Sequence, residues 1–168
     1  MACPYFYPVA RFETSPWSIP PRLPLGDAFA GECRAPGNTI QPDESRMREV
    51  CNLGFGRHGC EQFPPDSAAD AIRFHVAKDA GELINIQYVF ERDCWPAGRG
   101  TFDCAAAQGI TTERGTFDCV AAQGITPAER GAIACAVTQG IASGGGDGIL
   151  RRQAQVFLES YLRRRSEA

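Results

Sequence analysis

The sequence predicts an α+β fold: an irregular Cys/Pro-rich N-terminal wrap, one antiparallel β-hairpin and C-terminal short helices. Three observations predict it. Ten of the 12 prolines fall in residues 1–66, where they fix φ and remove donors, so long helices and central strands are disfavoured. Residues 70–92 alternate apolar and polar side chains with a period of two, the mark of half-buried strands. The last segment carries apolar residues at three- and four-residue spacing, the mark of a helix with one buried face. At 168 residues the chain is expected to form one domain, 1–168, large enough to bury a core.

The wrap, 1–66, also carries Tyr5, Phe6, Tyr7, Phe12, Trp17, Phe29 and Phe55. Aromatic side chains seek burial, so the segment is expected to be ordered although irregular. One short helix is expected around Pro42 to Val50, with Asp43 and Glu44 early and Arg46 and Arg48 later, as the helix dipole favours. In 70–92, Ile72, Phe74 and Val76 form one strand's apolar face, and Ile84, Ile86, Tyr88 and Phe90 the other's. Lys78 to Glu82, with Gly81, supplies the turn.

Residues 99–141 hold an internal repeat. Gly100 to Arg114 recurs almost unchanged as Gly115 to Arg130, and more loosely from Gly131 to Ile141. At the end of the second copy, leading into the third, Thr126-Pro127-Ala128-Glu129 is a capping box with proline at the first helical position. Each copy is therefore expected to be a short helix ending at Gln-Gly, near 101–108, 112–123 and 127–139. After the glycine-rich linker Ser143 to Gly148, a last helix is expected over 147–166. Its stripe is Ile149, Leu150, Ala154, Val156, Phe157 and Tyr161.

The formal net charge is -3, so nothing global points to nucleic acid or an anionic membrane. The longest apolar run, Ala132 to Val137, is far short of the ~20 residues of a spanning helix. The segment from Met1 to Arg11 lacks a basic region followed by an apolar run. The expectation is a cytoplasmic protein. In that compartment thiols stay reduced, and eight cysteines read as ligands or small buried side chains. In a secreted chain the same even number would read as a disulfide framework.

Cys51 to Cys60 packs two cysteines, His58 and three glycines into ten residues, with Cys3 and Cys33 upstream. Soft thiolates on glycine-rich backbone suit an iron–sulfur cluster. The function expected is therefore binding of a [4Fe–4S]-type cluster through Cys3, Cys33, Cys51 and Cys60, for structure or electron transfer. His58 and Cys94 are the possible substitute ligands. The alternatives are structural zinc at the same cysteines, a metal-free interaction module with a protein partner on the C-terminal helix, and an enzyme with a nucleophilic Cys beside His58. Zinc is disfavoured because no tight Cys-x2-4-Cys pair exists. Gly54-Phe55-Gly56-Arg57-His58-Gly59 matches a dinucleotide fingerprint, but no strand is expected before it and no helix after it. The glycines are instead expected to let backbone N–H groups approach cluster sulfurs. His75 is expected to be solvated. Cys104, Cys119 and Cys135 recur at equivalent repeat positions and are expected to be small buried side chains.

Overall fold

A computed structural model describes residues 1–14, 17–18, 22–37, 39–107, 109–114 and 146–167. The main element is a four-stranded antiparallel sheet in the order β3-β4-β5-β6, formed by β3 (Ala71–Asp79), β4 (Leu83–Arg92), β5 (Trp95–Ala105) and β6 (Gly109–Arg114). The alternating residues of 70–92 pair as β3 and β4, with Ile72 opposite Phe90 and Phe74 opposite Tyr88. Alternation sends Ile72, Phe74, Ile84, Ile86, Tyr88 and Phe90 to the buried face.

The sheet is larger than the single expected hairpin, and the reason lies in the repeat. Its first copy, Gly100 to Arg114, is not a helix over 101–108. It forms the second half of β5, a turn, and β6, with Thr101 opposite Arg114 and Ala105 opposite Gly109. Thr101 to Cys104 is itself a period-two pattern, and Phe102 and Cys104 point inward and are buried. The Gly in Gln-Gly takes φ +78° at Gly109. That left-handed geometry ends a helix or starts a hairpin strand equally well. Pairing along β4 decides for the strand, because Ile84 to Tyr88 offer free ladder groups and an apolar face to match. The helix expected over 112–123 begins inside β6 and is likewise excluded at 112–114. Its remainder, and the helix over 127–139, lie outside the described residues.

The wrap is more regular than its prolines suggest. β1 (Phe6–Arg11) and β2 (Phe29–Cys33) form a two-stranded antiparallel sheet. Pro8 is accommodated because the register shifts between Pro8 and Ala10, the kind of bulge that proline tolerates. The expected short helix is present as α1 (Glu44–Arg46), capped by Asp43 Oδ1, which accepts from the Arg46 N–H at 2.7 Å. It runs directly into a π-helical turn, Met47–Cys51.

The last helix, α2, spans Gly146–Glu167. Of its expected stripe, Ile149, Leu150, Ala154, Val156 and Phe157 are buried and Tyr161 is half-buried, and Leu158 is buried beside them. Phe157 stacks on Phe74 of the sheet, ring centroids 5.7 Å apart. One contiguous buried cluster joins the arm (Ala2, Cys3, Phe6, Phe29, Cys51), the sheet and α2. The polar residues of the helix hold the rest of the chain. Gln153 is fully buried, and its amide donates to Cys3 O at 2.8 Å and Phe6 O at 2.6 Å. Arg152 donates to Pro8 O and Val9 O, Arg163 pairs with Asp27, and Arg164 donates to Gly26 O. No described helix is long and apolar enough to cross a membrane.

Two outcomes follow from these contacts. Gln153→Ala removes the donor to the Phe6 carbonyl and one of two donors to the Cys3 carbonyl, and leaving a buried acceptor unpaired costs about 1–3 kcal/mol. Denaturant unfolding is therefore expected to show a loss of that order, with cleavage by protease first near residues 3–11. Asp79 accepts from the Tyr161 hydroxyl, the Gly81 N–H and Arg165, and these donors hold its carboxyl down at about 2. A depressed carboxylate stabilises above its unfolded pKa and loses that contribution as pH falls through the folded one. Thermal melts are expected to show wild type above Asp79→Asn at neutral pH, the gap closing between about pH 4 and pH 2.

Candidate metal centre

Each of the four N-terminal cysteines reaches the same place by a different local device. Cys3 precedes β1, its N–H donating to Cys51 O at 3.0 Å and its carbonyl accepting from Phe6 N–H and Gln153. Cys33 ends β2 opposite Phe6 and exchanges both backbone hydrogen bonds with Ile40. Cys51 closes the π-helical turn, whose i→i−5 bond runs from Asn52 N–H to Met47 O at 3.1 Å. Such turns recur at functional sites because they re-aim one side chain. Cys60 follows a 3-10 turn, Gly56–His58, and its N–H donates to Gly56 O at 2.8 Å.

Three polar anchors hold these devices together. Asn52 is buried, and its side chain accepts from Phe29 N–H while donating to Phe29 O and Met47 O. It thus ties the π turn, with Cys51, to β2, with Cys33. Arg57 donates to Asp70 Oδ1 at 2.7 Å and to the carbonyls of Pro65 and Ser67. It fixes the Cys60 loop against the start of β3. Ser67 Oγ accepts from the Tyr5 hydroxyl at 2.9 Å and so anchors the loop after Cys3.

Cys3, Cys33, Cys51 and Cys60 all line one cavity of about 10 Å³. Its other walls are Tyr5, Phe6, Ile40, Pro42, Val50 and Phe63, with Arg46 and Gln62 the polar members. Tyr5 and Phe63 meet edge to face at 5.5 Å. Cys3 and Cys51 are buried, whereas Cys33 and Cys60 are half-buried, and all four are free thiols. Burial, then the neighbouring thiols of Cys33 and Cys60, push the Cys51 thiol up to about 12. Cys3 is pushed higher still by burial, and Cys33 is also raised by burial. These are neutral thiols at physiological pH, so any metal taken up must displace their protons.

Among the described residues, no group of three or more His, Cys, Asp or Glu side chains has the geometry to hold a metal ion as it stands. Zn–S bonds of about 2.3 Å would bring four sulfurs to about 3.8 Å from one another. The thiols surround the cavity without closing on a point. A polynuclear core takes one thiolate per iron and accepts wider spacing, but needs more room than the cavity holds. Either guest requires the thiols to draw together; Cys33 and Cys60 are the two that are half-buried.

The two substitute ligands stand elsewhere. His58 is exposed on the 3-10 turn. Cys94 is exposed in the turn between β4 and β5, where Asp93 and Cys94 both have positive φ. Neither lines the cavity. A Cys–His pair at Cys60 thus has no His58 in the cavity to serve it. His75 is exposed on β3. Cys104 is buried, its thiol 3.8 Å from Phe102 O, while Cys119 and Cys135 lie outside the described residues.

The glycine motif serves packing. Gly54 has φ +76°, and a Cβ there would stand 2.7 Å from Met1 O. A Cβ at Gly56 would stand 2.9 Å from both Phe63 Cδ2 and Val50 Cγ1. The N–H groups of Gly54, Gly59 and Cys60 are spent on the carbonyls of Val50 and Gly56 rather than offered to sulfur. For Gly54 and Gly59 the expectation that glycine N–H groups approach a cluster is corrected accordingly. Arg46 is the residue that sequence reading passed over. The only signal for it was its place five residues before Cys51 in a predicted helix.

No protein-family model matches this chain, and neither the curated proteins nor the solved structures supply a match.

Thiol exposure sets an order of reactivity that mass mapping reads directly. Under brief iodoacetamide treatment of the native, metal-free protein, Cys94 is expected to be alkylated first and Cys3 and Cys51 last. Equal labelling of Cys3 and Cys94 would contradict the packing.

Proposed function

We propose that this protein binds a [4Fe–4S]-type iron–sulfur cluster through Cys3, Cys33, Cys51 and Cys60, in a structural or electron-transfer role. The observation that carries the reading is convergence: four thiols widely spaced in sequence line one apolar cavity. Free cysteine is often buried, but burial alone gives no reason for four to meet. Thiolate donors in an apolar shell are the surroundings that iron–sulfur cores use. The chain's own residues supply the rest. Gln153 and Asn52 orient the backbone at Cys3 and Cys51, and Tyr5, Phe6 and Phe63 limit water. The reading requires a reducing compartment such as the cytoplasm, where thiols stay free.

Structural zinc at the same four cysteines is the second reading, and the small cavity favours it. A metal-free interaction module using α2 has less support. Arg152, Arg163, Arg164 and Arg165 of that helix all hold partners within the chain.

Anaerobic purification, followed by reconstitution with ferrous iron and sulfide and then metal analysis, tests the proposal. The expected result is broad visible absorption with about four iron and four sulfide per chain, lost when Cys51 and Cys60 are both changed to Ser. One zinc per chain and no colour would favour the second reading. A folded protein that takes up neither would remove both.

A further inference from the structure

The thiol cavity has one charged side chain in its wall, Arg46. Its position follows from the local backbone. α1 passes into the π-helical turn at Met47, and the wider π spiral brings residues four and five apart onto a shared face. Arg46, Val50 and Cys51 accordingly line the cavity together. Asp43 is close in sequence, but its carboxylate is engaged with the Arg46 backbone N–H. Among the described residues, no carboxylate forms an ion pair with the Arg46 guanidinium. Arg57, Arg73, Arg163 and Arg165, by contrast, pair with Asp70, Glu91, Asp27 and Asp79 respectively.

A half-buried cation beside an apolar cavity calls for a counter-charge. Four thiolates around a metal centre carry net negative charge, which in turn needs a nearby cation or donor to be held away from water. We propose that Arg46 is the charge-compensating residue of the thiolate centre, placed to offset the negative charge of the loaded site and to favour its reduced state. The inference rests on the metal-binding reading above.

Two variants test it. Arg46→Met keeps length and removes charge, and Arg46→Lys keeps charge and changes shape. Wild type and both variants, with folding checked by circular dichroism, are loaded anaerobically with ferrous iron and sulfide, and separately with Zn2+. Redox titration of the iron form is expected to show the reduced-to-oxidised ratio at a fixed potential falling about tenfold in Arg46→Met, with Arg46→Lys near wild type. For the zinc form, chelator competition is expected to show affinity falling about tenfold in Arg46→Met alone. A folded Arg46→Met that matches wild type in whichever form loads overturns the role of Arg46 and leaves the metal site standing. An Arg46→Lys as impaired as Arg46→Met also overturns it, because shape rather than charge would then matter. A wild type that takes up neither metal removes the underlying reading, and this inference with it.

Discussion

A proline-rich arm cannot satisfy its own backbone, and the buried amide of Gln153 resolves that problem here. Cys3 and Phe6 turn their carbonyls toward α2, away from water, and Gln153 donates to both. Arg152 does the same at the edge for Pro8 and Val9. The helix therefore does more than cover the sheet. Its apolar side packs on Phe74 through Phe157, and its polar side fastens β1. If that fastening fails, Cys3 loses its place and the thiol cavity loses a wall. Most buried polar groups are paired, and the carbonyls of Cys3 and Phe6 find their side-chain donor on α2, so the arm, the helix and the site depend on one another.

The site shows how an irregular segment is made rigid without long elements. Asn52 bridges the π turn and β2, Arg57 bridges the Cys60 loop and the start of β3, and Gly54 and Gly56 let chains approach where any Cβ would clash. Each device is local, yet each ties together parts that are distant in sequence. The result is a small apolar cavity ringed by four thiols with one cation in its wall. Holding four thiolates there without a metal is unfavourable, because burial opposes the charged form and the thiolates repel one another. Under the proposed metal-binding reading, uptake of a metal is therefore coupled to loss of the thiol protons.

The repeat illustrates a limit of local pattern. Thr101 to Cys104 alternates as a strand should, but the stretch is short and Ala105 to Gln108 favours helix. The glycine that follows suits either outcome. The capping box that tipped the balance toward helix stands at the end of the second copy, not in the first. β4 decided the matter for the first copy by offering an unsatisfied edge. β1 and β2 were hidden for the opposite reason. Pro8 argues against a strand, and only the bulge at Val9 together with the donors of Arg152 makes it acceptable.

By itself the sequence determined what depends on near neighbours. The period-two faces of β3 and β4, the helical stripe of α2, the turn at Gly81 and the short helix after Pro42 all follow from interactions a few residues long. It also pointed to Cys3, Cys33, Cys51 and Cys60 by residue type. Tertiary structure alone decided that these four thiols line one cavity, that His58 and Cys94 stand outside it, and that Arg46 stands in its wall. The physical reason is that convergence is a property of packing. It is set by where Gln153, Asn52 and Arg57 find their partners across the fold, and no spacing along the chain encodes those distances.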